Sequence, residues 1–137
     1  MKFLVGFDGS NVSRAALELA QSYASAMKAK ILIVSVMSPS LSKETAPAER
    51  EAKRAVKMES ELEAIENRLS AEGVACETHL LVRGVEAGED LVRFAEEQQI
   101  DAIVIGVRRR SNVGKLIFGS IAQYIIINAH CPVITVK

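Results

Sequence analysis

The chain has 137 residues, 49% of them apolar and 25% charged, values of an ordinary folded domain long enough to bury a core. Lys plus Arg number 17 and Asp plus Glu number 17, so no whole-molecule field gathers nucleic acid or an anionic membrane, and any attraction for an anion is local. The apolar start Phe3-Leu4-Val5 is broken by Asp8, no run approaches the roughly 18 apolar residues that span a bilayer, and Cys76 and Cys131 make no disulfide framework. The chain reads as cytoplasmic, with neither nucleic acid nor membrane as a partner.

Residues 3–7 read as a first strand, apolar on both faces, and Asp8-Gly9-Ser10-Asn11 as a turn that starts a helix. Val12, Ala15, Ala16, Leu19, Ala20, Tyr23, Ala26 and Met27 then fall at the spacing of one helical face. Residues 31–36 are a second strand, β-branched and almost continuously apolar, as suits a parallel sheet covered on both sides. A Ser- and Pro-bearing loop over 38–46 leads to Pro47 and a charged helix over 48–71, with Ala52, Val56, Leu62, Ile65 and Leu69 as a narrow apolar stripe and Gly73 to end it. Residues 74–82 are a third strand, 87–99 a helix, 102–105 a fourth strand, about 120–129 a last helix, and Pro132 to Val136 a terminal strand.

Strands alternate with helices, and no linker, composition break or internal repeat divides the chain. The pattern predicts one α/β domain over residues 1–137, a doubly wound open sheet with helices on both faces. In such sheets ligands sit at the carboxyl ends of the strands, where strand order reverses. Those ends are Asp8, Val36-Met37 and Gly106.

The stretch from Gly106 to Ser120 carries the most chemistry. A strand ends at glycine, a basic loop follows with Arg108, Arg109, Arg110 and Lys115, and Gly119-Ser120 opens a helix. Glycines that let backbone N–H groups close on a ligand, beside a helix N-terminus, suit an anion and above all a phosphate. Arginine would bind it bidentately and lysine as a point charge. Asp8-Gly9-Ser10 has two readings: a turn capped by Ser10 or Asn11, and a strand-end carboxylate placed for a ribose hydroxyl or for nucleotide-bound Mg²⁺.

Other motifs are excluded. Gly114-Lys115 imitates the end of a P-loop, but Arg109 stands at the leading glycine and Leu116 at the metal-binding Ser or Thr. No G-x-G-x-x-G follows the first strand. Cys76 and His79, three apart on a strand, point to opposite faces, so with His130 and Cys131 they make no metal set. Glu59 and Glu63 lie on an exposed helix face, no general-base arrangement stands out, and no residue is assigned as catalytic.

Taken in order, the strand ending in Asp8-Gly9-Ser10, the strand ending in Ser35-Val36-Met37, Gly106 to Ser120 and Cys131 to Val136 resemble the universal stress protein family over essentially the whole chain. Its ATP-binding members carry G-x2-G-x9-G-[ST] after the fourth strand; Gly106, Gly119 and Ser120 match it, and Arg109 occupies the second glycine. The resemblance implies five parallel strands in order 3-2-1-4-5, the adenine nucleotide alpha hydrolase-like fold, and a homodimer paired through the last strand, whose Val133, Ile134 and Val136 are otherwise an open apolar edge. With that order Cys76 and Cys131 lie on opposite edges, too far apart to bridge.

The resemblance further implies ATP, or AMP or ADP, with Mg²⁺ reached only through the nucleotide and Asp8. Adenine lies against the Val36 backbone, ribose near Phe7 and Asp8, and phosphates along Gly106, Gly119, Ser120 and Ile121, with Arg108, Arg109 and Lys115 as charge partners. Arg109 either blocks the approach to the phosphates or replaces the lost glycine by pairing with them; the retained glycines and the cationic substitute favour the second. The expected function is a nucleotide-binding switch or sensor of the stress response, not an enzyme, with slow or no hydrolysis. The alternatives are a module that acts through protein contacts alone, and an adenylate-forming enzyme, which would need a Ser-Gly-Gly-x-Asp-Ser loop where Phe7-Asp8-Gly9-Ser10 stands.

Overall fold

A strand's side chains alternate between two faces, and in residues 3–7, 31–36 and 102–105 both sets are largely apolar, so both faces need a helical cover. The computed structural model describes residues 1–37, 47–108 and 119–137. The elements run β1 (Lys2–Gly6), α1 (Asn11–Met27), β2 (Lys30–Val36), α2 (Pro47–Ala71), β3 (Cys76–Leu81), α3 (Ala87–Glu97), β4 (Ala102–Gly106), α4 (Ser120–Asn128) and β5 (Val133–Val136). The sheet is parallel, in the order β3-β2-β1-β4-β5 that the resemblance implies.

Register separates the core into two layers. Val5 pairs with Ile33 and with Val104, and these pack beneath α1 and α2 with Leu17, Ala20, Leu62, Ile65 and Leu69. Leu4 pairs with Leu32 and with Ile103, and these face α3 and α4 with Leu91, Phe94, Ala95 and Ile125. The alternation also separates Cys76, packed in the first layer, from His79, whose ring stands 4.9 Å from that of Phe94 in the second. Cys76 and Cys131 are both free, and burial first of all pushes each thiol above its ordinary value, so neither is an activated nucleophile.

Three sequence readings are corrected. α1 buries Ser13, Ala16, Leu17, Ala20 and Ala24, a face turned from the predicted one; Ala16 and Ala20 are shared, whereas Tyr23 and Met27 are exposed. The helix is apolar over a wide arc, and contact with β4 and β1 selects which part is covered. Val56 is 65% exposed: α2 has 25 residues, about 37 Å of helix, whereas the strands it covers span only about 20 Å, so its first turns overhang the sheet. The third strand is shorter than the predicted 74–82, with Val82 exposed beyond its end.

Candidate functional site

The connections leaving β1 and β4 diverge to opposite sides of the sheet, which opens a crevice between their carboxyl ends. A cleft of about 240 Å³ lies there. Phe7, Asp8, Val36, Gly106, Arg108, Gly119 and Ile121, all nominated from sequence, line it. Ser120 is exposed as the first residue of α4 and is not among the lining residues. Arg109 and Lys115 lie outside the described residues.

The Asp8 wall is a set of interlocked local bonds. Gly9 has φ +82°, the left-handed backbone that a side chain disfavours, and this turns the chain so that the Ser10 N–H donates to Asp8 Oδ1 at 2.9 Å. Ser10 is the N-cap of α1, accepting from the Ser13 N–H at 3.2 Å, while the Ser13 hydroxyl donates to the Ser10 carbonyl at 2.9 Å. The capping reading of the turn therefore holds, with Ser10 in that role. Burial against the sheet end pushes the Asp8 carboxyl up, but bonds from Ser10 and Ser13 and the positive Arg108 outweigh it and hold the group below its ordinary value. Such a carboxylate is a weak proton acceptor and a ready partner for hydroxyls or a cation.

At the β2 end the ladder leaves donors and acceptors open. The Met37 N–H donates to the Leu81 carbonyl, so the Val36 N–H and C=O, one residue earlier, face the β1 side. There β1 has ended: the Phe7 N–H donates to the Val34 carbonyl, and the buried Ser35 hydroxyl donates to the Phe7 carbonyl at 2.5 Å. No backbone partner among the described residues takes up the Val36 groups. They form an adjacent donor and acceptor over an apolar floor of Val34, Leu91, Ile105 and Ile125.

The two signature glycines differ. Gly106 lines the cleft, and a Cβ on it would lie 2.4 Å from the carbonyl carbon of Val12, so packing also demands glycine there: strand β4 and the start of α1 touch backbone to backbone. At Gly119 a Cβ meets nothing within 4 Å among the described residues, and φ −60° and ψ 158° are open to any residue. Among the described residues neither packing nor backbone calls for glycine at 119, and the residue lines the cleft. Gly119 is the N-cap of α4 without a side-chain cap bond, so the N–H groups of the first turn, as at any helix start, have no partner within the helix.

Sequence reasoning missed Ser13 and the α3/α4 side of the cleft, Ala87, Leu91, Ala122 and Ile125. Ser13 carries a hydroxyl one helical turn after a cap, but its burial, like that of the apolar residues, is decided only when the chain is folded. Among the described residues no cluster of three His, Cys, Asp or Glu is placed to hold a metal, and no helix is long and apolar enough to cross a membrane.

The profile of the universal stress protein family matches residues 1–137. The universal stress protein of Thermus aquaticus is 32% identical over 135 residues, which cover 98% of this chain and 96% of that one. One from Methanocaldococcus jannaschii is 43% identical over 65 residues, which span 47% of this chain and only 37% of that protein; a match to the Mycolicibacterium smegmatis protein likewise spans 58% of its length. The structure of the Archaeoglobus fulgidus universal stress protein in complex with dAMP superimposes with a TM-score of 0.76 at 29% identity, covering 100% of this chain and 98% of that one. An end-to-end profile match on this strand order shows that the chain belongs to the universal stress protein family.

Proposed function

We propose that the chain binds an adenine nucleotide in the cleft between β1 and β4 and acts as a stress-response switch or sensor rather than as an enzyme. The observation that carries this reading is Gly119, which lines the cleft at the start of α4 with no described residue within 4 Å of where a Cβ would stand. The open Val36 N–H and C=O match the adjacent acceptor and donor on the edge of adenine, and the apolar floor suits its ring. Asp8 would meet ribose, or Mg²⁺ carried by the nucleotide; the first turn of α4, with Arg108, would meet phosphate. The dAMP complex of the similar Archaeoglobus fulgidus protein supports an adenine nucleotide. A bound nucleotide supplies only its own negative charge and ring; the chain supplies position and polarity. Asp8 is held below its ordinary value, which makes it a weaker base and suits the reading of slow or no hydrolysis.

The proposal includes a homodimer through β5. Ile103 N–H donates to the Pro132 carbonyl and Val107 N–H to that of Val136, so Val133 and Thr135 turn their backbone groups to the open edge, and a second copy offers the same edge in return.

Calorimetric titration of the nucleotide-stripped protein with Mg-ATP and with AMP tests the nucleotide reading. Saturation near one per chain is expected, and no heat with a folded sample overturns it. The second reading, a module working through protein contacts, draws on Arg109 at the second signature glycine and on Ile121, Tyr124 and Ile127, exposed along α4.

A further inference from the structure

Asp90 is a carboxylate only 1% exposed, in the first turns of α3. A buried charge needs a partner, and its partner is Arg83 on the turn after β3, with Nε 2.7 Å from Asp90 Oδ1. The N–H is not aligned for a hydrogen bond, and Oδ2 has no partner among the described residues. Arg83 is held in turn by Glu97 Oε2 at 3.4 Å and by the ring of Phe94, 5.8 Å below the guanidinium. The side chain thus straps the exit of β3 to two turns of α3, across a turn in which Gly84 has φ +71°.

The strap lies at one end of the cleft. Leu81, two residues before Arg83, pairs with Val36, and Ala87 and Leu91, which flank Asp90, are lining residues. Gly119 and Arg108 belong to the other end, after β4. We infer that Arg83 and Asp90 are positioning residues for the nucleobase: the ion pair fixes the wall formed by Ala87 and Leu91 against the open backbone of Val36, whereas the start of α4 is reached only indirectly, through the packing of Gly88 on Ile121 and Tyr124. This rests on the nucleotide reading of the cleft. It accounts for a charge kept where an apolar side chain would pack at less desolvation cost.

The test compares AMP with ribose 5-phosphate, which shares the anion and sugar but has no base, binding to the full chain and its Asp90→Asn variant by ligand-observed NMR. Asp90→Asn is expected to weaken AMP about tenfold, the scale of losing an outer partner that orients a binding group, and to weaken ribose 5-phosphate by much less. Equal loss for both ligands, or no loss for either, overturns the assignment, since a merely structural pair has no reason to single out the base. Should Asp90→Asn fail to fold, Arg83→Lys carries the same comparison. A wild-type chain that binds neither ligand overturns the nucleotide reading instead. The strap itself is then judged by hydrogen exchange: faster exchange in Asp90→Asn confined to residues 82–91 upholds it, and unchanged exchange there removes it.

Discussion

Gly106 and Val12 are in contact through their backbones: a Cβ added to Gly106 would lie 2.5 Å from the Val12 carbonyl oxygen as well as 2.4 Å from its carbon. Backbone cannot swing aside as a flexible side chain can. Gly106→Ala is therefore expected to cost about 2–3 kcal/mol by forcing β4 and α1 apart, read as a lower urea midpoint. A variant as stable as the parent would show that the two elements separate freely.

Gly119 should respond in the opposite way. Serine is favoured at a helix N-cap with extended backbone, and the space above Gly119 is clear among the described residues. Gly119→Ser is expected to hold or raise stability while weakening nucleotide binding about tenfold, or about 1.4 kcal/mol, because the added side chain enters the cleft. Gly119→Arg should abolish binding with the fold intact. Unchanged affinity in the arginine variant removes the proposed phosphate site.

Arg109 lies outside the described residues, and its role is open to titration. If the guanidinium serves as a phosphate partner, Arg109→Gly weakens Mg-ATP binding or leaves it nearly neutral. Binding that appears or strengthens sharply in that variant favours the module without nucleotide.

Asp8 sets an acid limit. Its carboxyl is pushed up by burial and held down more strongly by Ser10, Ser13 and Arg108, with a net fall. A folded-state value below the unfolded one adds stability above the unfolded value, about pH 4, and that stability is lost as pH falls through the folded value. Asp8→Asn should thus be less stable than the parent at pH 7, and the two should converge below about pH 4. Urea unfolding at pH 7 and pH 3 checks this; a gap of constant size removes the assigned bonds.

The β5 edge can be closed without touching the β4 ladder. Thr135 turns its N–H outward while its neighbours bond inward, and proline is tolerated at such a position. Thr135→Pro should give a folded monomer by light scattering where the parent is a dimer. A dimer that persists places the interface elsewhere.

The element order and the two ends of the cleft were legible in the sequence because apolar runs and glycine-bearing turns report local demands. Val5, Ile33 and Val104 announce a buried strand wherever they fall. What was not legible depends on distance. Nothing local distinguishes Ser13 from Val12 as the buried position on α1, because the choice is made by β1 and β4. Val56 follows a proper helical stripe, yet the sheet ends before it. Gly106 looked like Gly119 on the page, and the approach of Val12 is what marks Gly106 as a glycine that the fold needs.

The cleft has one more property, which comes from the layering. Ser13 belongs to the hydrogen-bonded start of α1 above one apolar layer, and Leu91 and Ile125 to the other layer, with the sheet standing between. A ligand that touches both sides is a bolt through two cores that share no side chains. Its binding energy would be lost when either layer opened, so the temperature at which the domain melts would rise with the ligand's concentration.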